Sequence, residues 1–208
     1  MKMDRETFST DLYELDSEWS DEQRAIIDSM RKFVDNEILP TINECHNDER
    51  LPEGIIQKLG SLGVLEMAAA GELDPVTYGL VCREIERGSS ALRSVLSVQG
   101  SLVIGCIRDF ASEEQKAQWL PKLGTFEYIG CYGLTEPDFG SNPGGMQTRA
   151  DKIDGGYRLN GAKMWITNAQ LAHVAIVWAK VDGLVKAFLV PSDTPGFEAR
   201  PIKQKWSF

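Results

Sequence analysis

Cys131-Tyr132-Gly133-Leu134-Thr135-Glu136-Pro137-Asp138-Phe139-Gly140-Ser141-Asn142-Pro143-Gly144-Gly145 runs a short apolar segment straight into a long loop of glycine, proline and hydroxyl residues. It stands just past the point where the chain changes character. Before Gly124 apolar residues recur at helical spacing; after it they alternate between turn signals. Charge divides at the same place, with almost all of the acidic excess lying before Gly124. The reading is an α+β multidomain chain. An N-terminal all-α helical bundle spans residues 1–125, and a small antiparallel β-barrel or sandwich spans 126–208.

Working upstream, Ser20 with Gln23 and Ser112 with Gln115 are capping-box pairs that open two helices. The first carries an apolar stripe of Ile26, Ile27, Met30, Phe33, Val34 and Ile38, and Pro40 is expected to kink or end it. Pro52 suits the first turn of a short helix closed by Gly60 and Gly63, and Pro75 the same position in a helix from Val76 to Arg87. Ala91 to Arg108 reads as a long apolar helix. Downstream, strands are expected at Tyr128–Leu134, Gln147–Lys152, Tyr157–Leu159, Lys163–Thr167, His173–Lys180 and Val185–Val190. Asp154-Gly155 and Asn160-Gly161 are hairpin-turn dipeptides. Lys205-Trp206-Ser207-Phe208 reads as the start of a further strand, because Trp206 and Phe208 call for burial.

Composition narrows the function. Of 208 residues, 42% are hydrophobic and 25% charged, as in soluble globular proteins. The balance of 22 basic against 31 acidic residues argues against nucleic acid as a partner, since phosphate binding needs clustered cations. Ser89–Ile107 is apolar enough to resemble a membrane span, but Arg93, Gln99 and its serines fit a buried helix better, so no membrane partner is expected. Met1–Ser20 is acidic and reads as neither a secretory nor a transit segment. A soluble intracellular protein of cytoplasm or mitochondrial matrix is expected. Cys45, Cys82, Cys106 and Cys131 lie far apart without a C-x-x-C pair, so no metal site is expected. His46 and His173 receive no role. Dinucleotide-fold, Walker, zincin and nucleophile-elbow motifs are absent.

Two stretches carry chemistry. Glycines in the quoted loop let backbone approach a ligand, and its successive N–H groups can form an anion-binding concavity flanked by the Thr135 and Ser141 hydroxyls. The other reading is an ordinary connection. In Lys163-Met164-Trp165-Ile166-Thr167-Asn168, a strand would place Trp165 and Thr167 on one face, offering stacking area and a hydroxyl to a flat heteroaromatic ring. The other reading there is a core Trp with an edge Thr.

Together, Tyr132–Ser141 followed by Trp165-Ile166-Thr167 resembles the acyl-CoA dehydrogenase family, flavoproteins that oxidise acyl-CoA thioesters. The resemblance extends through the Ser20 helix and Gln115-Lys116-Ala117-Gln118-Trp119-Leu120-Pro121 to Phe208. It implies FAD as cofactor, held by Tyr132, Gly133, Leu134, Thr135, Glu136, Pro137, Asp138, Phe139, Gly140, Ser141, Trp165, Ile166 and Thr167. Thr135 would bond the flavin ring and Ser141 the pyrophosphate, with Trp165 and Thr167 packing and bonding the isoalloxazine. An acyl-CoA substrate, electron-transfer flavoprotein as acceptor and a homotetrameric assembly are further implications.

Arg93 lies in an otherwise apolar or small helix, with Ser97 one turn on. A guanidinium beside a hydroxyl suits a carboxylate ligand; an internal salt bridge to Glu84 or Glu86 is the alternative. Leu92–Leu102 is similar to the glutaryl-CoA dehydrogenase branch, which implies that Arg93, Ser94 and Ser97 receive a distal carboxylate while Ser141 also touches the acyl-CoA. The reaction implied is α,β-dehydrogenation with oxidative decarboxylation to crotonyl-CoA. Two departures accompany the resemblance. Leu65–Pro75 is shorter than the family's loop and lacks its glycines, and the family's C-terminal helical domain, with its Glu base, has no counterpart in 1–208, so no catalytic residue is assigned. Other readings are a different short-chain acyl-CoA dehydrogenase or oxidase, or a non-catalytic acyl-CoA-binding remnant.

Overall fold

The structure, a computed structural model, describes residues 11–203; the expected strand around Trp206 and Phe208 lies outside them. Helices occupy the chain to Gly124 and strands begin at Gly130. Helix α1 (Asp21–Phe33) starts on the Ser20 capping box, in which Gln23 N–H donates to Ser20 Oγ at 3.2 Å and Ser20 N–H to Gln23 Oε1 at 3.1 Å. It widens into a π turn over Val34–Ile38, where Leu39 N–H reaches back to the Val34 carbonyl at 3.0 Å. Pro40 has no N–H to continue that ladder, so the helix stops there.

Short helices α2 (Ile42–Asn47), α3 (Ile55–Gly60) and α4 (Val64–Ala70) lead to α5 (Pro75–Gly88). Pro75 opens α5 beneath an Asp74 cap, as its fixed φ predicts. Pro52 differs from expectation. It sits in the turn before α3, accepting from Ile55 N–H at 3.2 Å, while left-handed Gly54 (φ 67°) makes the actual N-cap. The long apolar helix is α6 (Ser90–Ser97), a π segment (Val98–Ile104) and α7 (Gly105–Phe110) in succession. By length and composition it could cross a membrane, the one such helix among the described residues; here Leu92, Val95, Leu96, Val103, Ile104 and Ile107 are buried in the bundle. Helix α8 (Glu113–Gly124) starts on the Ser112 capping box.

Strands β1 (Gly130–Gly133), β2 (Arg149–Ile153), β3 (Gly156–Asn160), β4 (Val174–Val181) and β5 (Leu184–Pro191) form one sheet centred on β4. One edge of β4 takes β5, antiparallel along its full length. The other takes β1, parallel from Gly130↔Val174 to Gly133↔Val177, and then β2 at Arg149↔Lys180, also parallel. The sheet is therefore mixed and not antiparallel throughout. A long excursion separates β1 from β4 and brings the chain back in the same direction, a connection that alternation within each strand cannot report.

Asp154-Gly155 turns the β2–β3 hairpin, with Gly155 at φ 74°. Asn160-Gly161 does not make a turn of that kind: Asn160 ends β3, and the second hairpin turns on Asp182-Gly183 (φ 50° and 82°). Lys163–Thr167 is not a strand either, because Trp165 and Asn168 take left-handed φ values of 63° and 68°.

One buried cluster joins the lobes, running from Val34 and Ile85 through Val103 and Ile104 to Ile129, Val174 and Ile176. Gly130 makes this possible: a Cβ there would lie 2.4 Å from a Val103 methyl.

Candidate functional site

Strand β1 delivers Tyr132 and Gly133 to one end of the sheet, and the loop turns back at once. Glu136 N–H donates to the Phe139 carbonyl at 3.1 Å and Phe139 N–H to that of Glu136 at 3.2 Å, which leaves Pro137 and Asp138 exposed at the tip. Phe139 closes over Gly145, where a Cβ would meet its ring at 2.3 Å. Gly140, Ser141 and Asn142 face solvent, and Gly140 has open space where a side chain would be.

Glu136 points inward and is 5% exposed. It accepts from Gln147 N–H at 2.7 Å, Thr148 N–H at 2.9 Å and Lys163 Nζ at 2.9 Å. Burial pushes its carboxyl up, but these donors outweigh burial and hold it down at about 2. A carboxylate so saturated is no proton acceptor for chemistry.

Lys163 also donates to the Leu134 carbonyl at 3.0 Å, and Met164 N–H donates to the Thr135 carbonyl at 2.9 Å. The structure thus brings Thr135 beside the Trp165 segment. It does so without the expected alternation: Trp165 stands 62% exposed on left-handed backbone, and Ile166 and Thr167 are half-buried. Asn168, quoted in the sequence without a role, sends its amide to the Val95 carbonyl at 3.4 Å and the Gly130 carbonyl at 3.3 Å, linking this segment to α6 and β1. Gln99, noted only as a polar residue unsuited to a bilayer, is fully buried. Its amide donates to the Leu123 and Tyr128 carbonyls at 2.8 and 2.9 Å and accepts from Gly130 N–H at 2.8 Å. An amide side chain in a mostly apolar helix is the signal the sequence offers.

On α6, Arg93 Nε donates to Glu86 at 2.6 Å and Nη1 to Ser97 Oγ at 3.3 Å; Ser97 in turn donates to the Ser94 carbonyl at 3.2 Å. The three residues proposed for the acyl end are together and half-buried. Glu86 is the internal partner, while Glu84 is held by Arg31, Arg83 and Arg87.

A shallow groove of about 260 Å³ lies beside the loop, lined among others by Tyr132, Leu134, Gly144, Met146, Trp178 and Val185. Trp178 has a buried Nε1–H with no partner among the described residues. An exposed indole on strained backbone, an unpartnered indole donor and an open glycine loop at a strand end are features that suit a planar heteroaromatic ligand with a phosphate tail.

Residues 20–127 match the acyl-CoA dehydrogenase N-terminal domain and residues 131–208 the acyl-CoA dehydrogenase middle domain; the chain belongs to the acyl-CoA dehydrogenase family. Among solved structures it is similar to a glutaryl-CoA dehydrogenase from Mycobacterium smegmatis in complex with FADH2. The two are 46% identical with TM-score 0.90, over 94% of this chain and 52% of that one. Butyryl-CoA dehydrogenase from Megasphaera elsdenii is 31% identical with TM-score 0.78, over 86% and 50%. The human mitochondrial short-chain specific acyl-CoA dehydrogenase is 35% identical over 181 residues, 82% of this chain and 44% of that protein. The chain spans about half the length of the relatives it matches.

Proposed function

We propose that this chain is the FAD- and substrate-binding part of an acyl-CoA dehydrogenase acting on glutaryl-CoA, with electron-transfer flavoprotein as acceptor. Support for FAD comes from the Thr135 loop and the Trp165 segment lying against each other through Met164 N–H and the Thr135 carbonyl. Thr135 and Thr167 hydroxyls would bond the ring system, Trp165 would pack on it, and Ser141 in the open loop would meet the pyrophosphate and the acyl-CoA. The flavin supplies two-electron acceptance when bound. The chain's own residues orient the thioester, exclude water from one side and hold the acyl end. No residue of 1–208 is assigned as base, so the reading takes that carboxylate from outside them.

The observation behind the glutaryl reading is Arg93, a half-buried guanidinium on α6 whose Nη1 reaches Ser97, while its Nε holds Glu86, the internal partner that a substrate carboxylate would have to share or displace. A substrate carboxylate would take its place beside Ser94 and Ser97 with charge-assisted hydrogen bonds. Arg93→Ala is expected to weaken glutaryl-CoA binding to the FAD-loaded chain by about 10- to 100-fold, the loss of a charged hydrogen bond, with butyryl-CoA binding unchanged. Equal effects on both substrates would favour a short-chain monocarboxylic enzyme, a reading supported by the 35% identity to the human short-chain enzyme. Purified protein that takes up no FAD, by its visible absorption, would remove the flavin assignment.

A further inference from the structure

The candidate site contains a buried ion pair in which Glu136, placed by the resemblance among the residues that hold FAD, instead turns inward to Lys163 and two backbone N–H groups. Glu136 is 5% exposed and Lys163 10% exposed, and their charged atoms lie 2.9 Å apart. We propose that this pair is the positioning device of the flavin cradle, fixing the Thr135 loop against the Trp165 segment before any ligand arrives. The proposal rests on the flavin reading above and concerns how the site is built, not what it binds.

Three segments far apart in sequence converge on the pair. The loop supplies Glu136 itself and, through the Leu134 carbonyl, a second acceptor for Lys163 Nζ at 3.0 Å. The approach to β2 supplies Gln147 N–H and Thr148 N–H, which donate to opposite oxygens of Glu136 at 2.7 and 2.9 Å. The Lys163 stem runs beneath β1, where a Cβ on Gly133 would sit 3.4 Å from its Cγ. Gly161, two residues before Lys163, lets the returning chain approach Thr148: a Cβ there would meet Thr148 Oγ1 at 2.2 Å. Among the described residues the named strands do not pair with 134–148 or 161–173; apart from single bonds such as Met164 N–H to the Thr135 carbonyl and Lys180 N–H to the Thr148 carbonyl, the shared carboxylate is what ties the three segments at one point.

Burying two charges yields little net stability over a well-packed apolar pair. What such a pair does supply is a single geometry, since its donors and acceptors are satisfied in only one arrangement. Here that arrangement sets the separation of Thr135 from Trp165 and Thr167, the residues proposed to hold the ring. Neither Glu136 nor Lys163 needs to touch the ligand.

The test uses the full chain and its Glu136→Gln and Glu136→Gln/Lys163→Met variants, reading FAD affinity, the shape of the bound flavin's visible absorption band, melting temperature and amide hydrogen exchange. Glu136→Gln is expected to weaken FAD binding at least about tenfold, to blur the band, and to speed exchange at 134–139, 147–148 and 163–167 with the helical lobe unchanged. The double variant removes the stranded charge, so its melting temperature recovers while FAD affinity stays low. Lys163→Met leaves Glu136 its two backbone donors and carries the same test if Glu136→Gln does not fold. Wild-type FAD affinity and band shape in a variant that has lost only melting temperature would reduce the pair to a structural role and overturn the proposal. A wild-type chain that takes up no FAD overturns the flavin reading, and this inference with it; wild-type uptake with unaltered variants overturns this inference alone.

Discussion

At the scale of single residues, two buried carboxylates carry much of the acid sensitivity expected of this chain. Glu84 is 3% exposed, and burial pushes its carboxyl up; Arg31 and Arg83 outweigh that and bring it below the ordinary range. Glu136 goes further, to about 2 from an ordinary 4.5. Because these folded-state values are depressed, the stability they contribute is present above the unfolded value and lost as pH falls through the folded one. For Glu136 that is on the order of 3 kcal/mol, disappearing between about pH 5 and pH 2. Urea midpoints of wild type and Glu136→Gln should therefore lie far apart at pH 7 and converge on acidification. A constant gap would show that Glu136 is not held ionised. Which carboxylate pairs with which arginine was not legible in the sequence: Glu84 and Glu86 were equal candidates for Arg93. They sit two residues apart on α5 and so face different sides of the helix, and only the packing of α1 on one side and α6 on the other separates them.

At the scale of elements, helices were readable and one strand was not. Ser20 with Gln23 and Ser112 with Gln115 announce helix starts because their hydrogen bonds are local, made within four residues. Lys163–Thr167 alternates like a strand, yet its conformation is set from outside by Lys163 on Leu134 and Met164 on Thr135. A left-handed Trp has no sequence signature; it persists only where surroundings over-determine it. That makes Trp165 a test of what the segment is for. Relief of the φ strain in Trp165→Gly offsets the extra unfolded-state freedom of glycine, and a 62% exposed indole has little burial to lose. The variant should keep apo stability within about 1 kcal/mol of wild type, measured by urea unfolding, while its FAD affinity falls. A loss of several kcal/mol would instead mark Trp165 as a core residue.

At the scale of the molecule, the two lobes share one core and one set of buried polar ties. Gln99 bonds Leu123 and Tyr128 carbonyls and Gly130 N–H, and Val103 packs where Gly130 has no side chain. Loss of either lobe strands these groups, so unfolding of one costs the other its partners. Far-UV circular dichroism, which reports the helices, should give the same melting temperature as fluorescence from Trp178 of β4 in a variant whose other four tryptophans are replaced by Phe. Two separated transitions would show the lobes to be independent. The change of periodicity near Gly124 made the two lobes and their order visible in the sequence. Their joining was not visible, because Gln99 and Gly130 meet across a sequence gap that neither period records.

The parallel pairing of β1 with β4 also sets an order of events during synthesis. Gly130–Gly133 leaves the ribosome long before Val174–Val181, the stretch that gives it a sheet neighbour among the described residues. Until that later stretch emerges, the nascent chain carries a helical bundle with an unpaired ribbon at its end, open to wrong pairing with other chains. The cradle loop hangs from that ribbon, so a pause in translation between residues 134 and 173 is expected to leave both open to wrong pairing.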